Sequence, residues 1–144
     1  MNKKILFGIL LVTVLFTGCS KKYEVDCERK STLESEKVNS VVENIHLEYN
    51  GSKDKIDSST IKFTIDLNEL DENTREKIKN EIDTYCSNND KKYEECKINI
   101  TDQKIVIEAT GDVLEFGIPN LVSDTKYEDA KEILEKNDYT CKLD

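Results

Sequence analysis

The chain has 144 residues and a formal net charge of -9 at pH 7. This charge argues against a nucleic-acid partner, because neutralisation of phosphates by basic side chains supplies most of that affinity. The length suits one domain and is too short for a two-lobed solute-binding protein.

Residues 1–18 have the features of a removable export signal. Two lysines precede an uncharged apolar run at 5–17, which is shorter than the roughly 20 residues that a membrane-spanning helix needs. The run ends in Gly18-Cys19 and resembles the lipobox of bacterial lipoproteins, although Phe16 stands where that family usually has leucine. The resemblance implies cleavage before Cys19 and acylation of its thiol. A short transmembrane anchor is the alternative.

We therefore expect a protein that Cys19 anchors to the lipid bilayer, on the extracytoplasmic face of the cell membrane. Loss of the signal removes two lysines and no acid, which changes the net charge from -9 to -11. Residues 19–26 form the lipidated N-terminus and tether, and 27–144 form a single domain. Because each residue spans at most about 3.6 Å, the tether keeps the domain within about 25 Å of the lipid.

Four cysteines remain when Cys19 carries lipid, namely Cys27, Cys86, Cys96 and Cys141. In an exported protein they predict two disulfides, and the absence of a C-x-x-C pair argues against zinc. Cys86 and Cys96 are close in sequence and can pair at small entropic cost, which leaves Cys27 with Cys141. The pairing Cys27–Cys86 with Cys96–Cys141 stays open, as do free or partly paired thiols.

Alternating polar and apolar residues predict the strands. An edge strand or extended lead-in at 23–29 precedes a polar loop at 31–37. Strands at 41–49 and 61–67 should pair antiparallel, and Asn50-Gly51 between them is the strongest short hairpin signal because both residues tolerate positive φ. A second hairpin follows at 98–109.

A helical period predicts two helices. The first begins near Leu70, is capped by Asn73 with a reciprocal Glu76, and ends at 87–90. The second begins with a capping box at 125–128, and its buried stripe comprises Tyr127, Ala130, Ile133 and Leu134. Residues 111–123 follow neither period, and residues 139–143 are a tail.

These elements predict an α+β fold, a two-layer sandwich in which two helices cover one face of a mostly antiparallel sheet, in the order β(β)β-α-ββ-α. The repeated strand-strand-helix unit suggests an internal duplication. The uncovered face should carry His46, Glu48, Lys62, Thr64 and Asp66 in contact with solvent.

A family resemblance rests on the lipobox, the early cysteine, the alternating strands and two closing segments. These segments are Tyr127-Glu128-Asp129-Ala130-Lys131 and Tyr139-Thr140-Cys141-Lys142. Together they resemble the YehR-like family of small bacterial lipoproteins. The resemblance implies a two-layer α+β domain and supplies no catalytic or binding residue.

No residue pattern predicts catalysis, so no catalytic residue, cofactor or metal ligand is assigned. His46 is the only histidine, and it lies on a predicted exposed strand position without a nucleophile nearby. The acids from Asp66 onward do not form an EF-hand, because the sixth and twelfth positions would be Asp71 and Lys77 instead of glycine and glutamate.

The sequence therefore predicts a non-enzymatic binding or interaction module at the cell envelope. Its partner would be another envelope protein, or a small cationic or apolar ligand held against the sheet. The alternative is a weak binder of metal ions or other cations that uses surface carboxylates.

Overall fold

The computed structural model describes residues 21–33 and 38–144. The predicted signal at 1–18 and Cys19, the predicted lipidation site, lie outside the described residues. The strands in the described ranges are β1 Lys22–Leu33, β2 Val38–Asn50, β3 Ser58–Asp66, β4 Glu95–Ile100, β5 Lys104–Thr110 and β6 Thr140–Leu143. They form one antiparallel sheet in the order β4-β5-β3-β2-β1-β6.

The helices are α1 Glu72–Asp83, α2 Tyr85–Asn88 and α3 Tyr127–Lys136, with a 3₁₀ helix at Val113–Phe116. The α+β class is therefore confirmed. None of the helices in the described ranges is both long enough and apolar enough to cross a bilayer.

The first strand differs from its prediction at both its end and its place in the sheet. It continues to Leu33, so the polar loop expected at 31–37 is wrong in its first three residues. It is also not an edge strand, because the C-terminal tail forms β6 and pairs with it from Val25↔Leu143 to Glu28↔Thr140. Four residues are too few for a period to be visible in the sequence.

The predicted antiparallel pairing of 41–49 with 61–67 is confirmed, but the connection is longer than a two-residue turn. Val41 pairs with Ile65 and Glu48 with Ser58, which leaves residues 51–57 as the link. Gly51 has a φ of +76°, a left-handed value that glycine adopts without strain. Ile56 in this link is buried and donates its backbone N–H to Ser123 O at 2.8 Å.

Inward-pointing side chains of the strands form two apolar clusters. Val25 and Ile45 pack with Leu134 of α3 in the first cluster. Ile65 and Ile105 pack with Ile78 of α1 in the second. Burial of such side chains stabilises the fold by about 1.5–3 kcal/mol each, so the two helices are held mainly by these contacts.

The first helix begins two residues earlier than the capping pattern indicated. Asp71, not Asn73, is the N-cap, and its carboxylate accepts hydrogen bonds from Thr74 N at 2.9 Å and Thr74 Oγ1 at 2.7 Å. The helix ends at Asp83, and the residues after Thr84 form the separate short helix α2. The predicted capping box of the last helix is also wrong. Its N-cap, Lys126, makes no side-chain cap bond.

Residues 111–126 contain the 3₁₀ helix, which ends at Gly117 with a φ of +70°. Val113 and Leu121 are buried in the first apolar cluster, whereas Leu114 and Val122 are exposed. The segment therefore closes one end of the core and leaves apolar side chains on its outer side.

Two disulfides join the elements, Cys27–Cys141 between β1 and β6 and Cys86–Cys96 between α2 and β4. This is the pairing that the sequence favoured, and the alternative pairing is wrong. Cys27 and Cys141 are direct register partners, so the long-range disulfide holds the C-terminal strand to the sheet.

Candidate functional site

One face of the sheet, the outer face, consists of side chains that alternate with those of the apolar clusters. None of its residues is buried. It includes Glu24, Asp26 and Glu28 of β1, Val42, Asn44, His46 and Glu48 of β2, Thr60, Lys62, Thr64 and Asp66 of β3, Val106 and Glu108 of β5, and Thr140 and Lys142 of β6. The outer face is therefore mainly polar and in contact with solvent, as predicted for His46, Glu48, Lys62, Thr64 and Asp66, with Val42 and Val106 as half-buried apolar members.

The outer face is shaped into an open groove of about 800 Å³. Its lining includes four acids and four bases, so the groove is charge-balanced although the chain is strongly acidic. The acids are Asp26, Glu28, Glu108 and Asp138, and the bases are Arg29, Lys30, Lys62 and Lys142. Arg29 reaches the groove from the inner face, where its guanidinium pairs with Glu43. A charge-balanced groove fits a polar partner better than an apolar one.

Several of these charges have no ion-pair partner among the described residues. Lys62, Lys142 and Glu108 form no ion pair with any residue in the described ranges. Lys62 stands directly opposite Glu108 in the register, and yet the two side chains do not bond. The groove thus offers both cationic and anionic groups to a partner.

The floor of the groove is covalently fixed. The Cys27 side chain is buried in the first apolar cluster, and from that inner side its disulfide to Cys141 joins β1 to β6, the strands that carry Asp26, Thr140 and Lys142. A groove with a cross-linked floor loses little conformational entropy when a partner binds.

A cluster of ionisable side chains surrounds His46 at the edge of this groove. His46 Nδ1 lies 2.6 Å from Asp26 Oδ1, and His46 Nε2 lies 3.2 Å from Glu48 Oε1. The register explains both contacts, because Asp26 is directly opposite His46 and Glu48 is two residues along the same strand face. When the ring is neutral, the Asp26 carboxylate favours the tautomer with the proton on Nδ1. The unprotonated Nε2 then faces Glu48.

Lys22 completes the cluster. Its Nζ lies 2.7 Å from Glu48 Oε1 and 3.1 Å from Glu24 Oε1. Hydrogen bonds to Glu48 and Glu24 raise the pKa of Lys22, and the same Lys22 contact lowers the pKa of Glu48. Burial lowers the pKa of His46, but the hydrogen bonds to Asp26 and Glu48 outweigh it and leave that pKa raised.

The donor set of Glu24, His46 and Glu48 is one that could hold a metal ion, since one ligand atom of each lies within 4.8 Å of the others. The sequence analysis placed His46 on the exposed face but assigned it no neighbours. The missing information was the β1–β2 register, which brings Asp26 and Glu24 beside it. No local pattern in the sequence encodes that register.

A second polar cluster lies on the inner face. Glu43 is buried at 6% exposure, accepts a hydrogen bond from Tyr139 Oη, and pairs with Arg29 Nη2 at 2.6 Å. Arg29 also stacks on the Tyr139 ring, with its guanidinium carbon 4.5 Å from the ring centre. The sequence did contain a signal, because Glu43 interrupts the inward-facing series of Val41 and Ile45. This cluster connects β1, β2 and the residue before β6 and is structural.

Of the residues assigned from the sequence, the structure joins Cys27 to Cys141 at the β1–β6 edge of the sheet and Cys86 to Cys96 at the opposite edge, between α2 and β4. No family model matches the chain, and no curated protein and no solved structure is significantly similar to it.

Proposed function

We propose that the protein is a lipid-anchored, non-enzymatic binding module on the extracytoplasmic face of the cell membrane, and that its partner binds in the groove of the outer face. The observation that carries the proposal is the groove itself. The helices cover one face of the six-stranded sheet and leave the other open, and that face has charges of both signs that pair with no residue in the ranges 21–33 and 38–144. The two-layer arrangement thus serves to present this face.

The charge pattern favours a partner that carries both charges. Lys62 and Lys142 can bind carboxylates, while Glu108 and Asp138 can bind lysine or arginine side chains. Most of the residues that line the groove are charged or polar, so we favour a polar partner over the small apolar ligand considered from the sequence. A polar segment of another envelope protein is the partner that we propose.

The position of Lys21 supports an anchored orientation. Gly51 N donates to Lys21 O at 2.8 Å, so the chain leaves the proposed tether beside the β2–β3 connection. The end of the sheet that contains the β2–β3 connection also contains the start of β1 and the ends of β5 and β6. Residues 111–126 pack over this end of the sheet. With acylated Cys19 two residues before Lys21, this end of the sheet faces the bilayer.

Site-specific photo-crosslinking on intact cells tests the groove. A photoreactive residue at Thr60, inside the groove, should yield one reproducible crosslinked protein, and one at Lys91, on the far side of the sheet, should not. Neutralising the charges with Lys62→Gln and Lys142→Gln should weaken the Thr60 crosslink with little change in the melting temperature, because neither change places two acids opposite each other in the register. Equal crosslinking from both positions would contradict the assignment of the groove.

The anchor is tested separately by mass and by fractionation. The purified mature protein should weigh more than its polypeptide from Cys19 to Asp144 by the mass of the attached lipid. The Cys19→Ala variant should leave the membrane fraction. An unmodified mass would refute the lipid anchor and leave the groove proposal intact.

A further inference from the structure

The cluster around His46 has the composition of a transition-metal site. Its possible ligand atoms are one imidazole nitrogen and two carboxylate oxygens, from His46, Glu24 and Glu48. Zinc accepts this mixture with three protein ligands and one open position, whereas calcium requires six to eight oxygen ligands. The chemistry therefore favours a zinc-like ion over calcium.

The distances are compatible with coordination after a small movement. Tetrahedral zinc with bonds of about 2.0–2.2 Å places neighbouring donor atoms about 3.3–3.5 Å apart. The 3.2 Å between His46 Nε2 and Glu48 Oε1 is close to this separation. Glu24 completes the set within 4.8 Å and needs only a rotamer adjustment.

Asp26 provides the support that histidine ligands of metals commonly have. Its carboxylate is 2.6 Å from His46 Nδ1, the nitrogen that would not bind the ion. A carboxylate in this position fixes the ring orientation and raises the basicity of the coordinating nitrogen. The register of β1 with β2 thus supplies both the ligands and the group that orients the ring.

A cation already lies between the two carboxylates. Lys22 Nζ contacts both Glu48 and Glu24, which means that these acids are arranged to share one positive charge. The Lys22 side chain is 48% exposed and can swing into solvent at little cost. A divalent ion would replace this ammonium and bind the same oxygen atoms.

We propose that Glu24, His46 and Glu48 form a site for a divalent transition-metal ion such as Zn²⁺, that Asp26 orients His46, and that Lys22 competes with the metal for the two carboxylates. The site borders the partner groove, because His46 and Asp26 also line it, but metal binding there does not depend on a protein partner. The sequence analysis gave cation binding by surface carboxylates as its alternative function, and this proposal names the residues that would bind the cation.

The test uses the detergent-solubilised mature protein, titrated with Zn²⁺ and followed by calorimetry and by the NMR signals of its single histidine. One equivalent should bind, and the imidazole signals should shift with the same dependence on concentration. His46→Gln should abolish this event, and Asp26→Asn should weaken it about tenfold or more. Lys22→Met should tighten it, because the competing ammonium is gone.

Glu95→Gln is the matched control, since Glu95 is an exposed carboxylate on β4, away from the cluster. It should bind Zn²⁺ as the unmodified protein does. The proposal is overturned if Zn²⁺ leaves the imidazole signals of both the unmodified protein and Lys22→Met unchanged, or if His46→Gln binds Zn²⁺ with undiminished affinity. Failure here would leave the crosslinking test of the groove unaffected.

Discussion

Glu43 and Arg29 show how one buried charge depends on one partner. The Glu43 side chain is 8% exposed and that of Arg29 34%, so water reaches the cation more easily than the acid. A buried carboxylate without its cation carries most of the desolvation penalty. The main effect of Arg29 on stability is therefore to compensate the buried charge of Glu43.

We expect Arg29→Met to lower the free energy of unfolding by about 2–3 kcal/mol, less than for a wholly buried pair because Arg29 is partly exposed. Urea unfolding measures the change. Lys30→Met is the matched control, since Lys30 is 78% exposed and lies 3.9 Å from Glu28, and it should stay within about 0.5 kcal/mol. Equal losses in the two variants would show that the buried pair has no special role.

His46 predicts a pH dependence of stability. Its pKa in the folded state is raised above the unfolded value of about 6.5, because the contacts with Asp26 and Glu48 outweigh burial. The stabilisation is thus complete below the unfolded pKa and is lost as the pH rises through the folded pKa. Because His46 is 35% exposed, we expect less than about 1 kcal/mol.

Urea unfolding of the unmodified protein and of His46→Gln between pH 5 and pH 9, with a chelator present, measures this contribution. The difference in the free energy of unfolding between the unmodified protein and His46→Gln should decrease as the pH rises. An advantage that is constant over this range, or that grows, would contradict the charged interaction with Asp26 and Glu48.

At the scale of elements, the two disulfides differ in how much they are expected to stabilise the fold. Cys27–Cys141 closes a loop with a sequence separation of 114, and Cys86–Cys96 one of only 10. In the chain-entropy model these loops correspond to stabilisation of about 5 and about 3 kcal/mol. The first also holds the edge strand β6, which has only four residues, against β1.

We expect the double variant Cys27→Ala/Cys141→Ala to lose more stability than Cys86→Ala/Cys96→Ala, by about 2 kcal/mol in urea unfolding. Amide hydrogen exchange should also show faster exchange in β6 in the first variant only. A larger loss in the second variant would mean that the short loop between α2 and β4 limits stability instead.

At the scale of the whole molecule, the proposed lipid tether at Cys19 would orient the domain relative to the membrane. The N-terminal end of the sheet, beside Lys21 and Gly51, also bears the exposed apolar side chains Leu114 and Val122. The opposite end carries the turn between β4 and β5. An acidic body is repelled by anionic lipids, so the apolar and lysine-bearing end is the one that can approach the bilayer.

Fluorescence quenching in vesicles checks this orientation. A fluorophore attached at Lys55→Cys, in the β2–β3 connection, should be quenched by spin labels on the lipid headgroups. One at Asp102→Cys, in the β4–β5 turn, should be quenched much less, because it lies a strand length of about 20 Å or more further out. Equal quenching would mean that the tether does not orient the domain.

The sequence by itself determined the α+β class, the antiparallel pairing of β2 with β3, and the existence of the two long helices. These features depend on local periods, such as the alternation around Ile61, Phe63 and Ile65, which a short window reveals. The favoured disulfide pairing also followed from spacing, because Cys86 and Cys96 are close along the chain.

Only the tertiary structure decided the rest, because it depends on residues that are distant in sequence. The strand β6 exists through its pairing with β1, which lies near the other end of the chain. The start of α1 is a local exception, since Asp71 instead of Asn73 accepts the hydrogen bond from Thr74 N and caps the helix. The His46 cluster requires the register that sets Asp26 opposite His46. Shifting that register by one residue would move every side chain of a strand to the other face, so no pattern along either strand could have revealed the cluster.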